Sequence, residues 1–329
     1  MANVYRFHRL GGPEVLQLDQ LVLPPPSPDE VQVRIKAIGL NRADIMFRND
    51  EYILKAALPS RVGYEASGEI VRVGNNVKHF SSGDAVCILP PDDLSLYGTY
   101  ADEMNIAQQF LVHKPTTLSW EEASSVWMQY LTAWGGIIRA ARVKKGDFVL
   151  ITAASSSVGI AAIQIARQAG AIPIAVTLTS DKKDTLREMG AAHVIATDDE
   201  DFFEALTAIT GPEGLAAAFD AVGGPQVMQI AQVLRRFGRL IIHGALSPEA
   251  TPFPLKLAIR KSLAVEGYLF AEVLRHPEQR EEAKRFILNG LVSGTLKPCI
   301  DAVFSFDEMQ EAQRYLEKHR RFGKVVVTI

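Results

Sequence analysis

From Asp147 to Phe270 the chain alternates short apolar runs with amphipathic stretches, and few folds accept that pattern. DFVLITAA, IPIAVTLT, HVIAT, LAAAFDAV, RLIIHG and LAVEGYLF read as strands. SVGIAAIQIARQAG, SDKKDTLREMG, a stretch around Phe202–Ile209 and another near Gln226–Arg235 read as helices between them. Nearly continuous apolar strands separated by helices of this size build parallel βαβ units, with helices on both faces of the sheet. Six such strands are what a doubly wound dinucleotide-binding fold requires. The fold class expected is α/β, with a doubly wound parallel six-stranded sheet.

The residues before this block have a different texture. VQVRIKAIGL, GEIVRVGNNV, SSGDAVCIL and GTYADEMNI alternate with period two or break at Gly, Asp and Asn, as half-buried antiparallel strands do. Pro24–Pro26 with Pro28 is a stiff connector ahead of them. Ser119 and Glu122 form a capping-box signature, so a helix is expected through Ala123–Tyr130 and beyond. After Pro277 come a helix (EQREEAKRFILNGLVSG), a strand (CIDAVF), a helix over 306–319 and a strand at Lys324–Ile329. That last strand has no helix after it, and pairing with the first domain would make that domain discontinuous. The division expected is 1–122 with 271–329, and 123–270, in keeping with 329 residues being too many for one core.

Charge and cysteine content narrow the function classes. Thirty-five Lys+Arg against 38 Asp+Glu leave no basic field to grip nucleic acid. Two cysteines, Cys87 and Cys299, cannot make a disulfide framework or a four-thiolate zinc site, and they read as core thiols in a reduced, cytoplasmic setting. The amino terminus lacks a signal-peptide order, and no apolar run reaches the roughly 18 residues of a membrane span. No membrane association is expected.

Between the first strand and helix of the alternating block lies TAASSSVG, where a dinucleotide fold seats pyrophosphate on a glycine-rich turn. The usual G-x-G-x-x-G becomes Ala154-x-Ser156-x-x-Gly159. Small side chains still allow backbone approach, the serine hydroxyls can donate to phosphate, and Gly159 permits close helix–strand contact. An ordinary serine cap with no ligand would produce the same run. The end of the next strand reads Val176-Thr177-Leu178-Thr179-Ser180, with no carboxylate for a free ribose until Asp181, and Lys182 follows. Hydroxyls and a lysine there favour a 2′-phosphate, hence NADPH over NADH. An N-cap serine with solvated lysines is the plain alternative.

These residues sit among others that together resemble a known family. GGPEVL, Asn41-x-x-Asp44, GYEASGEIVRVGNNVKHFSSGDAV, GTYAD, Leu131-Thr132-Ala133, the VGIAAIQIARQAGA helix, Val222–Gly224 and FGKVVV are similar, over essentially the whole length, to the zinc-free quinone oxidoreductase branch of the medium-chain dehydrogenase/reductases. The resemblance implies a GroES-like β domain, discontinuous in sequence, and a Rossmann domain that binds NADP. Asn41 stands where the zinc branch has a cysteine ligand and Tyr64 where it has a histidine, so no metal is expected.

By the same resemblance, Asn41 donates a hydrogen bond near the nicotinamide, and Tyr52 and Tyr64 line the substrate cleft as further donors. Thr132 approaches the nicotinamide end of the cofactor. Ser157 and Val158 belong to the phosphate loop, and Val222 and Gly223 lie by the cofactor's middle. His243, Gly244, Ala245, Leu269 and Phe270 flank the nicotinamide, and Lys324 reaches the pyrophosphate. The function expected is NADPH-dependent, zinc-independent hydride transfer to a quinone or an α,β-unsaturated carbonyl, on a small hydrophobic electrophile. An enoyl-thioester reductase and a low-turnover NADPH-binding sensor are the alternatives. LAVEGYLF, apolar and placed at a sheet edge in that family's strand order, implies a homodimer.

Overall fold

The computed structural model describes residues 1–318 and 321–329, so the end of the expected helix at His319 lies outside the described residues. The chain forms two compact units, Met1–Met128 with Pro298–Ile329, and Gln129–Lys297. The sequence expectation placed the borders at 122/123 and 270/271; the helix Pro277–Ser293 belongs to the second unit.

The first unit begins with β1 (Ala2–Phe7), β2 (Leu16–Leu21), β3 (Glu30–Leu40), β4 (Ser60–Arg61), β5 (Glu65–Val73), β6 (Ala85–Ile88), β7 (Glu103–Ala107) and β8 (Leu111–His113). β1 takes β2 and β4 as antiparallel neighbours, while β3, β5, β6 and β8 run side by side in a larger sheet with β7 on β3. The long β3 buries Val31, Val33 and Ile35, as its alternation requires. Ser119 and Glu122 do form the capping box, but the helix stops at Ala123 and a second one spans Trp127–Trp134. The break has a local cause: the hydroxyls of Ser124 and Ser125 both donate back to the Glu121 carbonyl, at 2.9 and 2.8 Å, and end the first helix.

The second unit holds β9 (Phe148–Ile151), β10 (Ile172–Thr177), β11 (His193–Ala196), β12 (Leu215–Asp220), β13 (Leu234–Ile242) and β14 (Ala264–Gly267). All are parallel, in the order β11-β10-β9-β12-β13-β14, the doubly wound arrangement that the alternation implied. Leu150, Ile174, Ile195, Leu206, Leu215, Ile230 and Leu240 pack one face of the sheet. Each such side chain contributes roughly 1.5–3 kcal/mol on burial. The helix expected near Gln226–Arg235 ends at Val233, because Leu234 already pairs with Leu215 in β13 and the Lys261 ammonium caps the carbonyls of Gln232 and Leu234.

After Lys297 the chain re-enters the first unit as β15 (Ile300–Ser305) and β16 (Lys324–Thr328). β16 pairs antiparallel with β3, Val325 opposite Leu40, and completes the order β15-β16-β3-β5-β6-β8. The β unit is therefore discontinuous in sequence. Both cysteines are free: Cys87 is buried and its thiol pushed up to about 12 by that burial, while Cys299 is half-buried. Among the described residues no helix is long and apolar enough to cross a membrane.

Candidate active site

The second unit gathers its candidate residues at the carboxyl edge of the sheet. The loop Ala154–Gly159 leaves β9, Thr177–Lys182 leave β10, Val222 and Gly223 leave β12, and His243–Ala245 leave β13. Leu269 and Phe270 lie just beyond β14, and buried Thr132 sits on the helix Trp127–Trp134. Backbone bonds tie neighbouring exits together: Ala154 N–H to Val176 O, His243 N–H to Asp220 O and Ser247 N–H to Val222 O. In open parallel sheets this edge, at the point where strand order reverses, is where ligands bind.

That reversal lies between β9 and β12, and it is held by two residues that sequence reasoning missed. The buried Thr152 hydroxyl donates to Asp220 at 2.6 Å and accepts from the Ala221 N–H. Asp220 also accepts from the N–H groups of Val222 and Gly223, at 3.0 Å each. Gly223 and Gly224 both have left-handed backbones, with φ of 69° and 68°, so this turn selects the glycine pair. An Asp three residues before Gly-Gly was the available signal for the turn.

The phosphate loop fits a dinucleotide. A Cβ on Gly159 would meet Ala153 O and the Ala154 Cα at 2.6 Å, so only glycine lets the helix Ser157–Gln168 approach the strand this closely. Ser156 caps that helix by accepting the Gly159 N–H at 3.0 Å, which commits its oxygen to the fold. Ser157 and Val158 supply first-turn N–H groups that have no acceptor within the helix, the usual cradle for phosphate. Lys182 places its ammonium 3.2 Å from the Ser155 hydroxyl and brings a positive charge to the same loop.

Around the end of β10 the other expected donors have partners of their own. Ser180 donates its N–H and hydroxyl to Asp199, Thr179 donates to Asp181, and Thr177 is buried. Further along the edge, His243 stacks on Phe219 with ring centroids 3.8 Å apart. Burial pushes its pKa down to about 3, so it stands there as a neutral ring.

The first unit contains a buried polar cluster built on Asn41, Glu65 and Lys324. Asn41 ends β3 and caps the helix Arg42–Arg48, Glu65 opens β5, and Lys324 opens β16. The Lys324 ammonium, wholly shielded from solvent, pairs with Glu65 and donates to the Asn41 Oδ1 at 2.6 Å. Glu65 takes the Met128 N–H on its other oxygen at 3.0 Å, and the Asn41 Nδ2 donates to Gly39 O at 3.1 Å. Lys324, expected at the pyrophosphate, is thus committed inside the β unit instead. The resemblance supplied its motif but not the 283-residue contact that decides its role.

Next to the cluster, Asp44 accepts the Asn41 N–H at 2.7 Å and the Tyr100 hydroxyl at 2.9 Å, and Gln313 donates to that hydroxyl. Burial pushes Asp44 up to about 7, against the lowering effects of those bonds and of Lys324. A carboxyl with a raised folded pKa keeps its proton where the unfolded chain has lost it. Its contribution is therefore full below about pH 4 and lost as pH rises through about 7, at most about 4 kcal/mol in all. Asp44→Asn should remove that slope. Denaturant melts at pH 5 and pH 8 check it, and an unchanged pH dependence in the variant would assign the slope to other groups.

Tyr64 is buried, and Tyr52 meets it edge-on with ring centroids 6.2 Å apart. Burial raises both phenols above the ordinary tyrosine value, so both keep their protons at neutral pH and remain donors.

A doubly wound dinucleotide sheet joined to a discontinuous β unit is the build of the medium-chain dehydrogenase/reductases, and known proteins agree. A family model for the alcohol dehydrogenase GroES-like domain matches residues 27–116, and one for zinc-binding dehydrogenase matches residues 157–289. Quinone oxidoreductase 1 of Escherichia coli (strain K12) is 30% identical over 326 residues, covering 98% of both chains. A 2-haloacrylate reductase of a Burkholderia species is 27% identical over 327 residues, covering 97% of each. The crystal structure of Escherichia coli quinone oxidoreductase complexed with NADPH matches with a TM-score of 0.90 at 29% identity, over 100% of both chains.

The chain belongs to the quinone oxidoreductase branch of the medium-chain dehydrogenase/reductases, and it is an oxidoreductase. The metal named in one matched model does not fit its residues. Asn41 offers an amide oxygen already taken by an ammonium, Tyr64 a protonated phenol, and Glu65 a carboxylate paired with Lys324. Among the described residues no group of three or more His, Cys, Asp or Glu could hold a metal ion.

Proposed function

We propose that the protein is an NADPH-dependent, zinc-independent reductase that transfers hydride to a quinone or an α,β-unsaturated carbonyl compound. The observation that carries the reading is a hydrogen-bonding group where the zinc branch has a metal ligand: the Asn41 amide with a buried ammonium behind it, and a Tyr52–Tyr64 pair that feels the adjacent Asp44. A conjugated acceptor is already electrophilic, so positioned donors suffice for the charge that develops on its oxygen. The 2-haloacrylate named for one relative is itself an α,β-unsaturated carboxylate, which supports this substrate class.

NADPH, when bound, supplies the hydride. The unit Gln129–Lys297 holds it, with the first turn of the helix Ser157–Gln168 and Lys182 at its phosphates. With NADPH bound, its hydride would add to the conjugated carbon; Asn41 would hydrogen-bond the carbonyl oxygen as negative charge develops there, the Tyr52 and Tyr64 hydroxyls would stay protonated as donors, and water would supply the proton that completes the reduction. Loss of reduced-nicotinamide absorbance with metal-stripped protein and a panel of quinones, enones, enoyl thioesters and aldehydes tests this. Fast oxidation of NADPH by quinones or enones is expected. Turnover confined to enoyl thioesters, or cofactor binding without turnover, would replace the reading.

Lys182 carries the NADPH preference. Lys182→Ala should weaken NADPH about tenfold, the equivalent of one charge-assisted hydrogen bond, and leave NADH unchanged. Equal losses for both cofactors in a fluorescence titration would move Lys182 from the 2′-phosphate to the pyrophosphate.

The reading includes a homodimer. β14 is the edge strand of its sheet, and Phe237, Leu246, Phe253, Leu255 and Ile259 of the same unit are exposed apolar side chains, Ile259 at 73%. Light scattering should return twice the 36.1 kDa chain mass, and a monomer mass at all concentrations would sink the pairing.

A further inference from the structure

The Lys324 ammonium is a wholly buried charge that the reaction above leaves without a task, and its geometry gives it one. We infer that Lys324, anchored by Glu65, is a positioning residue that fixes the Asn41 carboxamide with its oxygen inward and an N–H free for the substrate carbonyl. The inference rests on the reading of Asn41 as the donor to that carbonyl.

The argument is one of donors and acceptors. A carboxamide presents an oxygen on one side and an NH2 on the other, and the two are nearly the same size, so packing alone does not choose between its two orientations. An ammonium has three donors and no acceptor. With Lys324 2.6 Å from Asn41, the atom facing it has to be the oxygen. The NH2 is then on the other side, with one hydrogen on Gly39 O and, among the described residues, no recorded acceptor for the second. Gly39 O favours the same orientation by accepting from Nδ2, and Lys324 adds the stronger, charged half of the selection. Without it the flipped amide, which turns an acceptor toward the developing oxyanion, is opposed by Gly39 O alone.

Glu65 makes the arrangement durable. Its Oε1 holds the ammonium and its Oε2 is tied to the Met128 N–H, so the lysine cannot swing away without leaving a buried charge unpaired. The ammonium also draws electron density toward Oδ1, and bonds in such a chain polarise one another, which strengthens the N–H at the far end. The cation thus acts on the substrate through the asparagine.

The double variant Lys324→Met/Glu65→Gln tests this. Methionine fills the lysine's volume without a donor, and glutamine keeps an oxygen for the Met128 N–H while removing the charge that methionine would strand. Two readouts are needed: steady-state turnover with NADPH and a quinone, and the side-chain NH2 signals of Asn41 in protein labelled with 15N-asparagine, assigned through Asn41→Ala. The expected result is a fall in kcat of about tenfold or more, NADPH affinity within about twofold of the parent, and displaced Asn41 NH2 signals.

Glu65→Gln alone leaves the ammonium beside Asn41 but removes its buried counter-charge, so it should lower kcat and displace the Asn41 NH2 signals by less than the double variant does. A folded double variant with unmoved Asn41 signals would overturn the inference. So would an NADPH affinity that falls as far as kcat, which would return Lys324 to the cofactor. Should the parent enzyme reduce no quinone or enone, the reading of the reaction fails, while the NH2 signals still report whether Lys324 orients Asn41.

Discussion

Asn41→Ala is expected to lower kcat for a quinone or enone by about 100- to 1000-fold, the usual cost of losing one donor to a developing oxyanion. NADPH binding should be unchanged. The side chain makes two buried bonds, one from Lys324 and one to Gly39 O, so the fold loses about 1–2 kcal/mol and stays intact at room temperature. That imbalance between a small stability loss and a large turnover loss is what separates a catalytic donor from a structural cap. Asn41→Asp sharpens the test, because it keeps an oxygen for Lys324 but has no N–H to offer, and it should be as slow as alanine. Turnover of Asn41→Asp near the parental rate would remove Asn41 from the reaction and shift the donor role to Tyr52 or Tyr64.

The two units were legible in the sequence to different depths. The parallel sheet is repetitive: each strand is apolar along its whole length, each helix shows one buried face, and loop residues at strand ends then fall together on the carboxyl edge. The pattern therefore puts the loop TAASSSVG and the residues after LAAAFDAV at that edge without any side-chain contact being known, while the roles of Ser157, Val158 and Val222 toward a cofactor come from the resemblance. The limits were local. Ser124 and Ser125 ended a helix that periodicity would have continued, and Leu234 joined β13 where a helical pattern ran on.

The β unit hides more, because its chemistry depends on partners distant in sequence. Lys324 and Asn41 are 283 residues apart, Lys324 and Glu65 are 259 apart, and Gln313 and Tyr100 are 213 apart. No spacing rule reaches across such intervals. Glu65 beside Tyr64 and Asp44 within Asn41-x-x-Asp44 carry no local mark in the sequence, since a lone carboxylate in a strand or a helix start is usually solvated. Their burial is what marks them: an acidic residue with almost no exposure requires a partner, and here the partners are one lysine and two hydrogen-bonded tyrosine and asparagine groups.

The stability of the β unit should depend on that lysine far more than on any exposed ion pair. Lys324→Met leaves Glu65 charged and buried with the Met128 N–H still on it but no counter-ion, a situation that typically costs about 3–5 kcal/mol. The loss has to appear in the β unit, because β16 carries Lys324 and pairs with β3 in the middle of that unit's sheet. Removing both charges in Lys324→Met/Glu65→Gln should return most of the difference, since a buried pair replaced as a pair is often close to neutral. Urea unfolding of the two variants beside the parent measures both steps. A loss of under about 1 kcal/mol for Lys324→Met would put the pair in the class of solvent-screened surface bridges, and the firm anchoring of Asn41 would go with it.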